Sequence, residues 1–247
     1  MQKNISWLIF LCFFPGLLLY PRRSAAQDSS QACRSDYLSA VKGEMKKKWP
    51  ENRTINLVFH GHSVPAGYWH NSEVHTLDSY PNLILAHLKE IYSYAVINVI
   101  VTAIGGEYAE KGQTRFESDV LPCKPDVLFI DYALNDLGTG LERSRLAWQK
   151  MIEAALKKDI PVILLTPSPD QRQNILDPDN PLVRHAAQIR ELAAEYHVGL
   201  ADPFAKFQEI ARKEGSVKAY MSHVNHPNRK GHELIAGEII RWFIPAD

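Results

Sequence analysis

Apolar runs rich in β-branched residues recur along the chain and predict strands. They cover residues 55–59, 95–101, 127–132, 162–166 and, more weakly, 198–201. Runs of this length and composition are typical of strands. Because they are continuous rather than alternating, we expect both faces of each strand to be buried, as in a parallel sheet.

Apolar positions with helical spacing occur between these runs. They predict helices over residues 36–47, 80–92, 141–158, 181–197, 204–213 and 229–243. The alternation of strand and helix implies right-handed βαβ crossovers, in which helices cover both sides of a parallel sheet. The sequence therefore predicts an α/β fold, a three-layer α/β/α sandwich around a five-stranded parallel sheet. Its functional residues are expected at the carboxyl ends of the strands.

The first 26 residues have the features of a secretory signal peptide. Lys3 gives a positive start, residues 7–20 are an apolar run, and residues 24–26 are small, which is the order in which such peptides are built. A membrane anchor is the alternative, but 14 apolar residues interrupted by Pro15 fall short of the roughly 20 that a spanning helix requires. We therefore expect an exported chain, periplasmic or secreted. Residues 27–247 would then form one domain without membrane contact after processing.

The composition is that of an ordinary globular protein and carries no signal for nucleic-acid binding. The 247 residues are 45% hydrophobic and include 28 basic and 28 acidic side chains. Three of the basic side chains and none of the acidic ones lie in the first 26 residues, so the remainder has a net charge of −3. The basic run at 46–48 fits the end of a helix, where cations are favoured. We expect no polyanionic partner.

Three cysteines are present, at positions 12, 33 and 123, and two of them follow the predicted signal peptide. Export would place Cys33 and Cys123 in an oxidising compartment, where a disulfide is permitted. The sequence leaves open whether they pair.

A serine follows the first predicted strand, within the segment HGHSVPAG at residues 60–67. This places the Ser63 hydroxyl at the edge of the sheet where α/β proteins assemble their sites, and Gly61 permits a sharp turn before it. The nucleophile elbow Gly-x-Ser-x-Gly is not matched, because Pro65 occupies the final glycine position. Taken alone, a serine at such a point more often caps a helix.

Further polar groups follow the next two strands. Gly105 and Gly106 supply backbone N–H groups that a substrate oxygen could approach closely, and the Asn135 side chain supplies an amide donor. Each has an ordinary interpretation as a turn residue. Near the C-terminus, Pro227 and Asn228 fix a turn before the last predicted helix and present His226 from a loop, where an imidazole can act as a base near neutral pH.

Together these residues resemble the sequence blocks of the SGNH (GDSL-type) hydrolases. Gly61-His62-Ser63 stands for the Gly-Asp-Ser block, Gly106 for the glycine, Asn135-Asp136 for the Asn-Asp block, and His226-Pro227-Asn228 for the histidine block. The similarity spans residues 55–240, nearly the whole predicted mature chain. It implies the flavodoxin-like fold of that family.

The resemblance also implies a serine esterase that needs no cofactor. Ser63 would attack an ester carbonyl, and His226 would take its proton and later protonate the leaving alcohol. The oxyanion would lie among the Ser63 N–H, the Gly106 N–H and the Asn135 amide. The expected substrate is a small-molecule or glycan ester, with an O-acetyl group on a carbohydrate outside the cytoplasm favoured.

The sequence departs from the family pattern at two positions. His62 replaces the aspartate that precedes the serine in the family, a position expected to be structural. His223 stands three residues before His226, where the family places the triad aspartate, and a neutral imidazole cannot stabilise an imidazolium as a carboxylate does. Either Ser63 and His226 work as a dyad in which a backbone carbonyl orients His226, which we favour, or an acid from elsewhere replaces the aspartate; His223 itself is a further candidate for the orienting group. Asp202 is one candidate acid, although it fits better as a helix cap.

The residues after the serine suggest where a substrate binds. Tyr68 and Trp69, with His70 and His75 nearby, offer rings that could stack on a sugar beside the nucleophile, or that could pack under the loop.

Two other function classes remain open from the sequence. A metal-dependent hydrolase could use imidazoles of the His60, His62 and His226 region, with His223 and His232 nearby. A non-catalytic carbohydrate-binding protein on the same fold would account for the missing aspartate.

Overall fold

The computed structural model describes residue 34 and residues 36–244. The predicted signal peptide and Cys33 lie outside the described residues. Five strands are present in this part of the chain: β1 (Thr54–Gly61), β2 (Val96–Val101), β3 (Val127–Asp131), β4 (Val162–Leu165) and β5 (Gly199–Ala201). No helix within the described ranges combines the length and the apolar composition needed to cross a bilayer.

The five strands form one parallel sheet in the order β2-β1-β3-β4-β5. Strand β1 lies between β2 and β3, and its last residue, Gly61, pairs in register with Asp131 at the end of β3. The α/β fold with a five-stranded parallel sheet is confirmed.

Helices cover both faces of the sheet. They are α1 (Ser39–Met45), α2 (Ser63–Ala66), α3 (Tyr80–Ile91), α4 (Ala109–Thr114), α5 (Leu141–Leu156), α6 (Pro181–Glu195), α7 (Pro203–Glu214) and α8 (Arg229–Ile240). Successive strand residues point to opposite faces, so Leu57 and Phe59 join the core under α1, α3, α7 and α8, whereas Val58 joins the core under α4 and α5. The three-layer architecture follows from this alternation.

Two local expectations were wrong. Strand β2 is at the edge of the sheet, and Val96 and Val101 are 47% and 36% exposed, so its faces are not both buried. Helices α2 and α4 were not predicted. Helix α2 spans only four residues and α4 contains Gly112, so neither shows an apolar stripe of helical period.

A buried carboxylate joins the end of β3 to the second helical layer. Asp136 accepts hydrogen bonds from the Ala109 backbone N–H at 2.8 Å, the Ser144 hydroxyl at 2.7 Å and the Trp148 indole N–H at 2.8 Å. Burial raises the pKa of Asp136, and these three donors offset part of that effect. The carboxylate therefore anchors α4 and α5 to the loop that carries Asn135.

Replacement of Asp136 by asparagine should destabilise the fold. The amide keeps the size of the side chain but turns an N–H₂ group towards donors, so either Ala109 N–H or Trp148 Nε1–H loses its acceptor. We expect the free energy of unfolding, measured by urea denaturation, to fall by about 2 to 4 kcal/mol. The exposed control Asp179→Asn should change it by less than about 0.5 kcal/mol. Equal losses in the two variants would contradict this role.

Candidate active site

The nucleophile candidate lies where β1 ends at the carboxyl edge of the sheet. Ser63 is the first residue of α2 and is 7% exposed. A side chain at Gly61 would place its Cβ 2.4 Å from the Asp131 carbonyl oxygen and 2.9 Å from the Pro65 ring. Glycine at this position therefore permits close packing of β3 and α2 around the end of β1, whereas the sequence suggested a sharp turn.

The structure brings His226 to Ser63 across 163 residues of sequence. The His226 Nε2 atom lies 3.0 Å from the Ser63 Oγ atom, which is hydrogen-bond distance for a hydroxyl that donates to an unprotonated ring nitrogen. The two atoms are therefore placed for proton transfer.

The loop that carries His226 is held by its own backbone. The His226 carbonyl oxygen accepts hydrogen bonds from the Ser222 N–H at 2.9 Å, the Ser222 hydroxyl at 3.1 Å and the His223 N–H at 3.2 Å. After it, the Asn228 side chain caps α8 by accepting from the Gly231 N–H. From the loop after β4, the Gln171 N–H donates to the Val224 carbonyl oxygen at 2.7 Å. The imidazole is thus presented from a fixed loop.

None of the expected groups orients His226. Its Nδ1 atom is buried and has no hydrogen-bond partner in the described part of the chain. His223 is exposed, and its ring centroid lies 5.9 Å from that of His226 in a stacked arrangement. Asp202 caps α7 by accepting from the Ala205 N–H and also binds Thr166 and Arg190. The sequence analysis favoured a Ser63–His226 dyad, but the described residues do not supply the expected orienting carbonyl, and neither His223 nor Asp202 takes that position.

The surroundings of His226 favour its neutral form. Burial, and then the neighbouring imidazoles of His62 and His223, lower the pKa of His226 from 6.5 to about 4. Desolvation and like-charged neighbours both oppose protonation. At neutral pH the ring is therefore available as a base.

The loop after β2 and the end of β3 complete the site. Gly106 has φ of +75°, a left-handed conformation that other residues rarely adopt, and a Cβ there would meet open space. The Asn135 side-chain N–H₂ donates to the Glu107 carbonyl oxygen at 2.9 Å, and its second N–H is available to a ligand. Together with Ser63, Gly105, Asn225 and His226, these two residues line a cleft of about 240 Å³.

A buried polar network supports this loop from beneath. The Glu107 carboxylate accepts from Arg115 Nε at 2.9 Å and from the Tyr132 hydroxyl at 2.8 Å. The same hydroxyl lies 3.1 Å from His60 Nε2, and His60 Nδ1 lies 2.9 Å from the Thr102 hydroxyl. Burial, and then the charge of Arg115, lower the pKa of His60 to about 4. The network ties the Gly106 loop to β1 and β3.

This network separates the imidazoles that a metal site would need. His60 is occupied by Tyr132 and Thr102, whereas His62 contacts the Val64 N–H and Asp131. Among residue 34 and residues 36–244, no group of three or more His, Cys, Asp or Glu side chains could hold a metal ion. The described geometry therefore does not supply the ligand set of the metal-dependent alternative.

Aromatic residues form a second cleft beside the first. Tyr68 packs on Gly105 and lies near His226, with ring centroids 6.2 Å apart. Trp69 stacks on His75 with centroids 4.4 Å apart and planes 8° from parallel. This cleft has a volume of about 350 Å³ and is lined by Tyr68 and Trp69 together with His223 and His226 from the loop before α8. Tyr68 therefore forms a wall between the two clefts, and one face of Trp69 is covered by His75.

Two acids near the site were missed by the reasoning from sequence. Asp131 interrupts an otherwise apolar strand, and Glu107 follows the glycine pair. An acid within a fully buried run was the available signal, because a buried carboxylate requires partners. The identity of those partners depends on packing that the sequence pattern does not contain.

Comparison with known proteins gives one family. Residues 59–234 match the model of the GDSL-like lipase/acylhydrolase family. No match is found among curated proteins.

Solved structures with the same fold include several esterases. A two-domain esterase active on acetylated mannans has a TM-score of 0.68 and 19% identity, and the match covers 87% of this chain and 54% of that one. The chain therefore spans about half the length of that relative. An acetyl xylan esterase has a TM-score of 0.63 and 24% identity, covering 77% of this chain and 100% of that one. An acetylxylan esterase from Geobacillus stearothermophilus has a TM-score of 0.64 and 22% identity, covering 76% and 94%.

The lowered pKa of His226 predicts activity that persists into the acid range. A base must be unprotonated, so kcat/KM for 4-nitrophenyl acetate should rise with pH around an apparent pKa near 4, not near the ordinary value of 6.5. The His223→Asn variant should move this midpoint upward, because it removes a neighbouring imidazole. Circular dichroism at each pH controls for unfolding. A midpoint at or above 6.5 in the native chain would contradict the assignment.

Proposed function

The chain belongs to the GDSL-like lipase/acylhydrolase family, and on that premise we propose that it is a serine-dependent esterase. Its substrate would be an O-acetyl ester of a carbohydrate. The observation that carries the proposal is the 3.0 Å contact between the Ser63 hydroxyl and His226 Nε2 at the edge of an open cleft. An unassisted hydroxyl is a poor nucleophile, and an adjacent base removes that limit.

The reaction follows from the placement of these groups. Ser63 Oγ attacks the ester carbonyl carbon while its proton passes to His226 Nε2. The resulting oxyanion is stabilised by the Ser63 N–H, the Gly106 N–H and the free N–H of Asn135. His226 then gives the proton to the oxygen of the leaving alcohol. The alcohol departs, and the acyl group remains on Ser63. A water molecule gives a proton to His226 and attacks the acyl carbon. His226 then returns this proton to Ser63 Oγ as the bond between Oγ and the acyl carbon breaks, which releases the acid and restores the free Ser63 hydroxyl.

The dimensions of the two clefts support a small acyl group on a larger alcohol. The cleft at Ser63, of about 240 Å³, is the smaller of the two and is bounded by the Gly106 loop and Asn135, so an acyl group bound there lies beside the oxyanion donors. The adjoining aromatic cleft, of about 350 Å³, presents Trp69 to a sugar ring. Relatives described as active on acetylated mannans or as acetyl xylan esterases support the same substrate class. The predicted signal peptide supports a location outside the cytoplasm.

Covalent labelling tests whether Ser63 is activated. A fluorophosphonate probe should label the native chain at Ser63, because labelling requires an activated hydroxyl, and Ser63→Ala should abolish both labelling and hydrolysis of 4-nitrophenyl acetate. The Ser216→Ala variant, which changes a serine outside the site, is the matched control. A folded native chain that is neither labelled nor active would favour the non-catalytic carbohydrate-binding alternative.

Substitution of Trp69 tests the sugar subsite. Trp69→Ala removes the aromatic face, so KM for an acetylated xylo- or manno-oligosaccharide should rise about fivefold or more, as expected for a stacking contact of roughly 1 kcal/mol. KM for ethyl acetate, measured by titration of the released acid, should stay unchanged, because its alcohol has no ring to stack on Trp69. Trp49→Ala is the control variant. It alters a tryptophan that is 84% exposed and that precedes β1, at the opposite edge of the sheet. An equal effect of Trp69→Ala on both substrates would contradict the subsite.

A further inference from the structure

A second imidazole and a carboxylate lie buried behind the nucleophile. His62 is 0% exposed and Asp131 is 4% exposed. His62 Nε2 and Asp131 Oδ1 face each other at 3.4 Å, which is within ion-pair distance but lacks the alignment of a hydrogen bond, and neither atom has a hydrogen-bond partner in the described residues. Burying a carboxylate is costly unless it is paired. Each of these two atoms thus has only the other to offset its burial.

The surrounding contacts fix which ring nitrogen of His62 carries the proton. The Val64 backbone N–H, which can only donate, points at His62 Nδ1 at 3.3 Å, so Nδ1 must be the acceptor. In the neutral ring the proton is then on Nε2, the atom that faces Asp131. A ring nitrogen is commonly held in one tautomer by the hydrogen bond that the other makes.

The other oxygen of Asp131 is already occupied. The Tyr80 hydroxyl donates to Asp131 Oδ2 at 3.1 Å. Burial, and then the charge of Asp131, raise the pKa of Tyr80 well above its ordinary value, so the phenol keeps its proton and remains a donor. Oδ1 is consequently left to His62 alone.

His62 both caps helix α2 and lies close to the nucleophile. His62 Nδ1 accepts the Val64 N–H as the cap of α2 and lies 3.5 Å from Ser63 Oγ. A proton on Nδ1 would oppose the Val64 N–H and break the cap of the turn that holds Ser63. Because the Nδ1 lone pair is engaged by Val64, the base for Ser63 remains His226, whose Nε2 is closer at 3.0 Å.

We propose that Asp131 is a positioning residue that acts through His62 on Ser63. Its carboxylate keeps the proton of His62 on Nε2, so that Nδ1 stays an acceptor and holds the first turn of α2. The pair takes the place of the single aspartate that precedes the serine in the family pattern. The carboxylate of Asp131 lies on the neighbouring strand β3, opposite Gly61 in register. The His62 ring lies between this carboxylate and the first turn of α2. This inference rests on the proposed function for its effect on catalysis, but not for the tautomer.

The tautomer is measured directly on the substrate-free chain. In ¹⁵N-labelled protein at neutral pH, the His62 resonances, assigned by their loss in His62→Asn, should show an unprotonated Nδ1 and a protonated Nε2. In Asp131→Asn, the negative charge that attracts the Nε2 proton is lost, so the tautomer protonated on Nδ1 should gain population. A native His62 with a protonated Nδ1, or an unchanged tautomer in Asp131→Asn, would overturn the proposal.

Kinetics in two backgrounds separate positioning from simple destabilisation. Asp131→Asn should lower kcat for 4-nitrophenyl acetate by about 10- to 100-fold with little change in KM, as for other groups that orient a functional imidazole. The His62→Asp variant places two buried carboxylates side by side. Adding Asp131→Asn to it removes one of them and leaves the other to cap Val64 directly. The same Asp131→Asn change should therefore raise kcat in the His62→Asp background.

Outcomes distinguish this inference from the proposed function. A fall in kcat on adding Asp131→Asn to both backgrounds would mean a structural role and would overturn the proposal. Circular dichroism and Tm establish that each variant is folded, and Asp179→Asn is the matched exposed control. A native chain without esterase activity would reject the proposed function, whereas the tautomer measurement would still decide the assignment of Asp131.

Discussion

The contact between the Ser63 hydroxyl and the His226 ring depends on packing between the N-terminal and C-terminal parts of the chain. The two residues are far apart in sequence: Ser63 follows the end of β1, and His226 lies in the loop before α8. Helices α3 and α8 pack against each other, and inside this contact the Tyr80 N–H donates to His232 Nδ1 at 3.2 Å. Burial lowers the pKa of His232 to about 3, so this ring remains neutral and keeps its acceptor. This hydrogen bond joins α3, which follows the Ser63 segment, to α8, which follows the His226 loop.

The buried acidic side chains near this contact do not lie beside His226. They lie behind Ser63 and beneath the Gly106 loop. Within the described part of the chain, no carboxylate contacts His226 Nδ1, and the neighbours of this ring are the imidazoles of His62 and His223. The buried acids Asp131 and Glu107 instead face His62 and the network of Arg115 and Tyr132. The Glu107 network supports the loop of Gly106 from beneath, and Asp131 lies behind the turn of Ser63.

The sequence predicted the layers of this fold better than its polar interior. Continuous apolar runs located all five strands to within one or two residues at each end, because burial on both faces leaves a direct signal in composition. The same argument failed for β2, since its place at the edge of the sheet depends on strand order. The Ser63 and His226 segments were recognisable from their motifs. The partners of Asp131 and Glu107 were not, because hydrogen bonds between distant elements leave no periodic pattern.

The low proton affinity of His226 changes the balance between the two halves of an acyl transfer. A ring that holds a proton weakly is a modest base towards the serine, yet once protonated it is a strong acid towards the departing oxygen. Expulsion of a poorly acidic alkoxide, such as that of a sugar hydroxyl, then becomes the easier half. Formation of the tetrahedral adduct becomes the slower one. The burial of His226 and its neighbouring imidazoles, which lower its pKa, therefore favour the departure of alcohols that are difficult leaving groups.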